Sequence, residues 1–209
     1  MLRVLVADDH PVVRQGLRQL TSETPDIVVV DEVDNGDEVI SKALATNCDV
    51  ALLDISMPGK HWLDILSELK IQEPRLAVLV LSIHAEEHYA LRALKAGAAG
   101  YLTKESTSDE LVAAIRKVAS GRKYVSSSLA EKLVAELAAD NERDLHDILT
   151  NREYQVMGMI ALGKTVSEIA RELLLSVKTI STYRSRILEK MHMKTNAEIT
   201  RYAIEYRLV

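Results

Sequence analysis

Phenylalanine is absent from this chain of 209 residues, and tryptophan and cysteine occur once each. With 47% apolar but only 4% aromatic residues, any core has to be aliphatic, built on Leu, Ile, Val and Ala. The lone Cys48 has no partner for an internal disulfide; it fits a reducing cytoplasm and reads as a small core residue. Long hydrophobic runs are also missing. Stretches such as "LAVLVL" at Leu76–Leu81 fall far short of the roughly 20 apolar residues that cross a bilayer. The first residues enter a strand-like run with no secretory signal pattern, so a cytoplasmic protein without a membrane partner is expected. Repeats and low-complexity tracts are lacking as well.

What is present is an uneven charge. Residues 1–147 carry 16 Lys and Arg against 25 Asp and Glu, a net −9, whereas residues 148–209 carry 10 against 6, a net +4. An acidic front and a basic back predict two modules with different partners, the back one a candidate for nucleic acid.

The front alternates two periods. β-rich runs occur at Arg3–Ala7, Ile27–Val33, Val50–Leu53, Leu76–Leu81 and Gly100–Leu102. Helical patterns separate or follow them at Val12–Leu20, Asp37–Ala45, Leu63–Lys70, Glu87–Ala96 and Ser108–Ala119. Five strands alternating with five helices predict a parallel sheet covered on both faces. Such sheets gather their chemistry at the carboxyl ends of the strands, beside the point where strand order reverses. Leu129, Leu133, Val134 and Leu137 then predict a short amphipathic helix, followed by a polar linker at Ala138–Asp144. The remainder carries only helix signals. Thr150 with Glu153, Thr165 with Glu168 and Thr195 with Glu198 match the capping-box pattern, and Ser176 is a candidate cap for a helix from Val177 to about Met191. Gly163 ends the first of four helices, and the second and third are spaced as a helix-turn-helix.

The predicted sheet brings chemistry together. Asp8 and Asp9 follow the first strand, Asp54 follows the third, Ser82 ends the fourth and Lys104 lies just past the fifth. Three crowded carboxylates favour a bound cation, and all-oxygen ligation points to a hard ion such as Mg2+. A lysine and a hydroxyl beside them suit phosphoryl transfer onto a carboxylate, with Asp54 as nucleophile.

"VADDHP", "LLDISMPG", "VLVLSIHAEE" and "KAGAAGYLTKE" together resemble the receiver domain of bacterial two-component response regulators. The resemblance covers residues 1–122 and implies a flavodoxin-like α/β domain: a five-stranded parallel sheet with helices on both faces. It implies that Asp54 accepts a phosphoryl group from a sensor histidine kinase, and that Asp9, Asp54 and the backbone carbonyl of Ser56 ligate Mg2+, with Asp8 acting mainly through water. It also makes Ser82 and Tyr101 a switch pair, the ring following the hydroxyl inward. Ser56 and His84, each two residues beyond a site residue, are implied to tune phosphate lifetime, and His10 is a rim residue rather than a phosphate carrier. The chain departs from the family at "KHWLD", where Trp62 is expected on a surface loop.

The stretch from Leu149 to Tyr206 resembles the LuxR-type DNA-binding domain of the NarL/FixJ subfamily, an all-α unit of four helices over residues 148–209, leaving 123–147 as a partly helical linker. At about 100° per residue, Val177, Ile180, Ile187, Leu188 and Met191 share one apolar arc with Tyr183 at its border. Lys178, Ser181, Thr182, Ser185, Arg186 and Glu189 lie opposite, offering short hydrogen-bonding groups to bases and flanking cations to phosphates. Arg184, nearer the buried edge, is expected to reach a phosphate or pair with an acid. Many members of the family carry Lys where Ser181 stands here.

The last helix resembles the family's dimer helix, so a homodimer is expected on double-stranded promoter DNA or on phosphorylation, with RNA polymerase a further candidate partner. The combined reading is a phosphorylation-controlled transcriptional regulator. One rival keeps the same parts and binds DNA without phosphorylation. Another is a Mg2+-dependent phosphohydrolase, but no second general acid–base residue or Gly-rich substrate loop is present, so turnover of a separate substrate is not expected.

Overall fold

The alternating periods of the first half are realised as five strands, β1 (Leu2–Ala7), β2 (Ile27–Val33), β3 (Val50–Asp54), β4 (Ala77–Ser82) and β5 (Gly100–Thr103). Five helices follow them in turn: α1 (Pro11–Ser22), α2 (Gly36–Thr46), α3 (Trp62–Gln72), α4 (Glu86–Lys95) and α5 (Ser108–Ala119). The computed structural model describes residues 1–82, 86–126, 130–131, 145–206 and 208–209. The expected helix of Leu129, Leu133, Val134 and Leu137, and the polar tract 138–144, lie outside the described residues. The chain divides into two compact units, Met1–Ala138 and Ala139–Val209.

In the first unit every strand pair is parallel and the order is β2-β1-β3-β4-β5. Successive side chains of a strand point to opposite faces, and the core divides accordingly. Val4, Val6, Leu52, Leu79 and Leu81 face one cluster with Leu17 and Ile115; Leu5, Ala7, Leu53, Val78 and Val80 face the other with Ile65 and Leu69. Strand order reverses between β1 and β3, which places the crevice at their carboxyl ends.

Local chemistry sets the helix starts around that crevice. Pro11 begins α1, where its fixed φ and missing N–H cost nothing. Asn35 caps α2, and Gly36 lets that turn close on the β3–α3 loop: its N–H donates to the Pro58 carbonyl at 2.8 Å, and a Cβ here would lie 2.3 Å from the Lys60 carbonyl oxygen. Thr107 and Glu110 form a full capping box on α5.

Trp62 corrects the sequence reading. It is not a surface loop residue but the first residue of α3, 4% exposed, with its ring centroid 6.5 Å from that of Tyr89 on α4. His61 supplies the cap by accepting from the Leu63 N–H through Nδ1, so the helix starts early and turns the indole into the core. Cys48 is half-buried against the same core, and burial pushes its thiol pKa up.

The second unit opens with a 3-10 turn at Leu145–Ile148 and continues as α6 (Asn151–Ala161), α7 (Val166–Glu172), α8 (Val177–Lys190) and α9 (Asn196–Glu205). Capping boxes close at Thr150/Glu153 and Thr165/Glu168. The third differs: Glu198 accepts from the Lys194 N–H, one residue before the cap, while Thr195 still accepts from the Glu198 N–H. Val156, Met157, Ile160, Ile169, Ile180, Ile187, Ile199 and Ala203 are the buried aliphatics that hold the helices together. Val177 does not join them. At the first position of α8 it projects past the packed turns and is 51% exposed.

A charge pair ties α8 to α6. Glu153 is only 2% exposed in its side chain, and it accepts from the Thr150 N–H at 2.8 Å and from Lys190 Nζ at 2.6 Å. Burial alone would raise its carboxyl pKa, but the Lys190 and Thr150 bonds outweigh it and hold the pKa below the usual value. A depressed folded-state pKa gives stability that is full above the unfolded value and lost as pH falls through the folded one. Lys190→Met is therefore expected to cost this unit about 1–3 kcal/mol at neutral pH and to flatten the acid response below about pH 4.5. Hydrogen exchange of the α6 amides in the full chain, followed against pH, reads both effects.

Candidate functional site

The carboxyl ends of β1, β3, β4 and β5 converge as the parallel topology requires. Asp8, Asp54 and Ser82 are fully buried, and Asp9 and Lys104 close the rim. Lys104 Nζ reaches inward to stand 2.9 Å from Asp54 Oδ2 and 2.8 Å from Asp8 Oδ2. Its backbone N–H donates to the Ser82 carbonyl at 2.7 Å, which fixes the end of β5 against β4. The Ser56 N–H donates to Asp54 Oδ1 at 3.2 Å, and Arg14 of α1 donates to the Asp8 carbonyl at 2.6 Å.

Electrostatics in this pocket are unbalanced. Burial pushes the Asp54 carboxyl pKa up, with Lys104 pulling it down and the Asp8 charge adding to the rise. Burial also works against the Lys104 ammonium, yet its bonds to Asp8 and Asp54 hold its pKa above the usual lysine value. Asp8 Oδ2 faces Lys104 Nζ and Asp9 Oδ1 faces His10 Nδ1, each at 2.8 Å. An excess of negative charge and ligand atoms of Asp8, Asp9 and Asp54 within 4.8 Å of one another fit a small divalent cation.

Tyr101 is fully buried, its ring inward in the core between the sheet and α4. Ser56 is exposed on the loop after β3. His84 lies outside the described residues.

On α8 the expected arc is exposed as a set: Lys178, Ser181, Thr182, Ser185 and Arg186, with Glu189 beside them. Thr182 and Ser185 donate their hydroxyl protons to the Lys178 and Ser181 carbonyls at 3.0 Å, which leaves their oxygens free as acceptors. Arg184 finds an amide partner. Its Nε donates to Asn196 Oδ1 at 2.6 Å, so it ties α8 to the start of α9 rather than reaching for an acid. The sequence reading missed both this bond and the Lys190–Glu153 pair, because neither spacing lies within one helix.

Two family models match the chain, a response regulator receiver domain over residues 4–116 and the luxR family of bacterial regulatory proteins over residues 147–203. Response regulator GacA of Pseudomonas protegens is 36% identical over 209 residues, covering 100% of this chain and 98% of the relative. This chain belongs to the LuxR-type two-component response regulators. Response regulator UvrY of Escherichia coli K12 is 34% identical over the whole of the regulator and 96% of the relative. Among solved structures, RcsB of Salmonella enterica serovar Typhimurium, bound to promoter rprA in the presence of the phosphomimetic BeF3-, is 25% identical with a TM-score of 0.70. That likeness covers 96% of the regulator and 97% of the RcsB chain. The regulator is thus a phosphorylation-controlled transcription regulator, and a sensor kinase and promoter DNA are its classes of partner.

Proposed function

We propose that Asp54 is the phosphoacceptor, within a receiver of residues 1–122 joined through a partly helical linker, 123–147, to a DNA-binding domain of residues 148–209. The observation that carries this reading is the position of Lys104 Nζ, bridging Asp54 Oδ2 and Asp8 Oδ2 at the reversal point of the sheet. An Asp54 oxygen attacks the phosphorus of the kinase phosphohistidine, the P–N bond breaks and an acyl phosphate forms. Lys104 exchanges part of its contact with Asp54 for a phosphoryl oxygen, and the Ser82 hydroxyl donates to another. Asp9, Asp54 and the Ser56 carbonyl would hold Mg2+, with Asp8 acting through water, and the ion would supply positive charge to offset the carboxylates as a phosphoryl group arrives. Tyr101, already inward, fills the space behind Ser82 and stabilises that arrangement.

On the DNA side, Ser181, Thr182 and Ser185 read base edges while Lys178 and Arg186 hold phosphates, and the exposed Ile204 of α9 supports a dimer on two half-sites. Incubating the full chain with a small-molecule phospho-donor and Mg2+ is expected to tighten binding to a promoter duplex. Unchanged affinity at full phosphorylation would favour the rival that binds DNA without the modification.

Phosphate lifetime is expected to respond to Ser56, which lies exposed beside the Asp54 carboxylate where an attacking water would pass. The decay rate of the phosphoprotein should change in Ser56→Ala and, by the same reading, in His84→Ala. Decay identical to wild type in both variants removes that role.

A further inference from the structure

Among the described residues of α8, one exposed side chain is apolar: Val177, 51% exposed at the first position of the helix. Ile180 and Ile187 are buried, and Tyr183 and Leu188 are half-buried. Burial does not explain a valine at that position, and helix propensity does not favour one. At about 100° per residue Val177 stands about 40° from Ser181, on the border between the apolar arc and the exposed one. It also lies one turn before Ser181, about 6 Å along the axis, where the exposed arc begins.

The hydroxyls around Val177 are already committed. Ser176 Oγ accepts from the Thr179 N–H at 3.0 Å and meets Thr179 Oγ1 at 2.8 Å, so both serve the cap. The first turn of α8 holds no acid, whereas Glu153, Glu168 and Glu198 stand in the first turns of α6, α7 and α9. No carboxylate of that turn therefore repels phosphates from this end of the helix. Farther along, Thr182 and Ser185 spend their hydroxyl protons on the Lys178 and Ser181 carbonyls. Their oxygens accept equally from the amino group of adenine or of cytosine, so they do not tell an A·T pair from a C·G pair. A methyl contact does, because among the four bases only thymine carries a C5 methyl.

Resting on the reading of α8 as the helix that enters the major groove, we propose that Val177 reads the C5 methyl of a thymine. Recognition helices meet base edges with their N-terminal residues, and an apolar side chain there matches that methyl. A spacing of about 6 Å, against about 3.4 Å per base step, puts the thymine within two steps of the base that Ser181 faces. The contact supplies the discrimination that the hydroxyls lack.

The test uses the full-length regulator with phospho-donor and Mg2+, on the duplex it selects from a random pool. Each thymine is replaced singly by deoxyuridine, which removes the methyl and leaves every hydrogen-bonding group in place. In the wild type, one such replacement in each half-site is expected to weaken binding about fourfold, the worth of one buried methyl group. Val177→Ala is expected to weaken binding to the unmodified duplex by a similar factor and to bind both duplexes alike, with its salt slope unchanged. Wild-type affinity indifferent to every thymine methyl, or the same loss in Val177→Ala as in the wild type, overturns the assignment. So does a Val177→Ala that weakens selected and random duplexes equally, since the side chain would then serve the fold or the sugar–phosphate backbone. Thr182→Ala and Lys178→Ala on the same duplexes keep the two readings apart. If Thr182→Ala is selective and Lys178→Ala lowers the salt slope, α8 stands in the groove and only the role of Val177 falls. If neither effect is seen, the docking of α8 falls and takes that role with it.

Discussion

Asp54→Asn is expected to abolish uptake of the acid-labile phosphoryl group that the wild-type chain takes from a small-molecule donor. The amide has no anionic oxygen to attack phosphorus. Asp8 and Asp54 share Lys104 Nζ and each accepts the backbone N–H two residues on, but the bond to Asp8 is the shorter, 2.9 Å against 3.2 Å, so Asp54 is the less tightly held of the two. Folding should survive, because Lys104 keeps Asp8 as its partner and the loss of a buried charge relieves part of the desolvation cost that raises the Asp54 pKa. Lys104→Met tests the second half of the arrangement. It leaves the acceptor in place but removes the ammonium 2.9 Å away, and uptake is expected to slow by about a hundredfold rather than vanish. Phosphoryl incorporation followed by mass spectrometry, with thermal unfolding as the folding control, separates the two. Label on Asp54→Asn at the wild-type rate would show the acceptor to lie elsewhere.

The second large effect concerns α8. Lys178 and Arg186 flank its exposed arc, with Ser181, Thr182 and Ser185 nearer the centre. Neutralising one phosphate contact weakens binding to every sequence alike and lowers the salt slope by about one unit. Replacing a base-reading residue costs on the order of 1–3 kcal/mol at the preferred site and less elsewhere. Thr182 and Ser185 spend their protons on backbone carbonyls, so in this conformation they accept rather than donate, which matches the amino groups of cytosine or adenine. Lys178→Ala and Thr182→Ala are accordingly expected to separate when specific and random duplexes are titrated across salt. The pair is informative because neither side chain is buried. An unchanged slope in Lys178→Ala, with Thr182→Ala weakening both duplexes equally, would place the DNA-binding face elsewhere on this unit.

Much of this was legible in the sequence. The strands and helices of the first half lie where the periods place them, and Asp8, Asp9, Asp54, Ser82 and Lys104 meet because a parallel sheet sends all its carboxyl ends to one edge. The capping pattern gave the helix starts of the second unit because it is a local hydrogen-bond motif, complete within four residues. The same signal marks Thr107 and Glu110 at the start of α5.

Where the sequence misleads, the deciding contact comes from a distant element. Trp62 follows a turn-like "MPGKH" and reads as a loop residue, yet it is buried because α3 and α4 together leave an aromatic-sized space that Tyr89 helps to line. Val177 shares the apolar arc of α8 but stands beyond the end of the packing that buries Ile180 and Ile187. Arg184 and Glu153 find partners 12 and 37 residues away. The sequence by itself determined which residues are apolar, which helices are capped and which acids stand at strand ends, because periodicity and capping act over a few residues. Only the tertiary structure decided that Lys104 binds two carboxylates at once, that Tyr101 stands inward and that His10 turns its ring nitrogen into the acidic pocket. Those outcomes depend on how side chains from separate strands and loops share one small volume, and no local pattern in the chain encodes that.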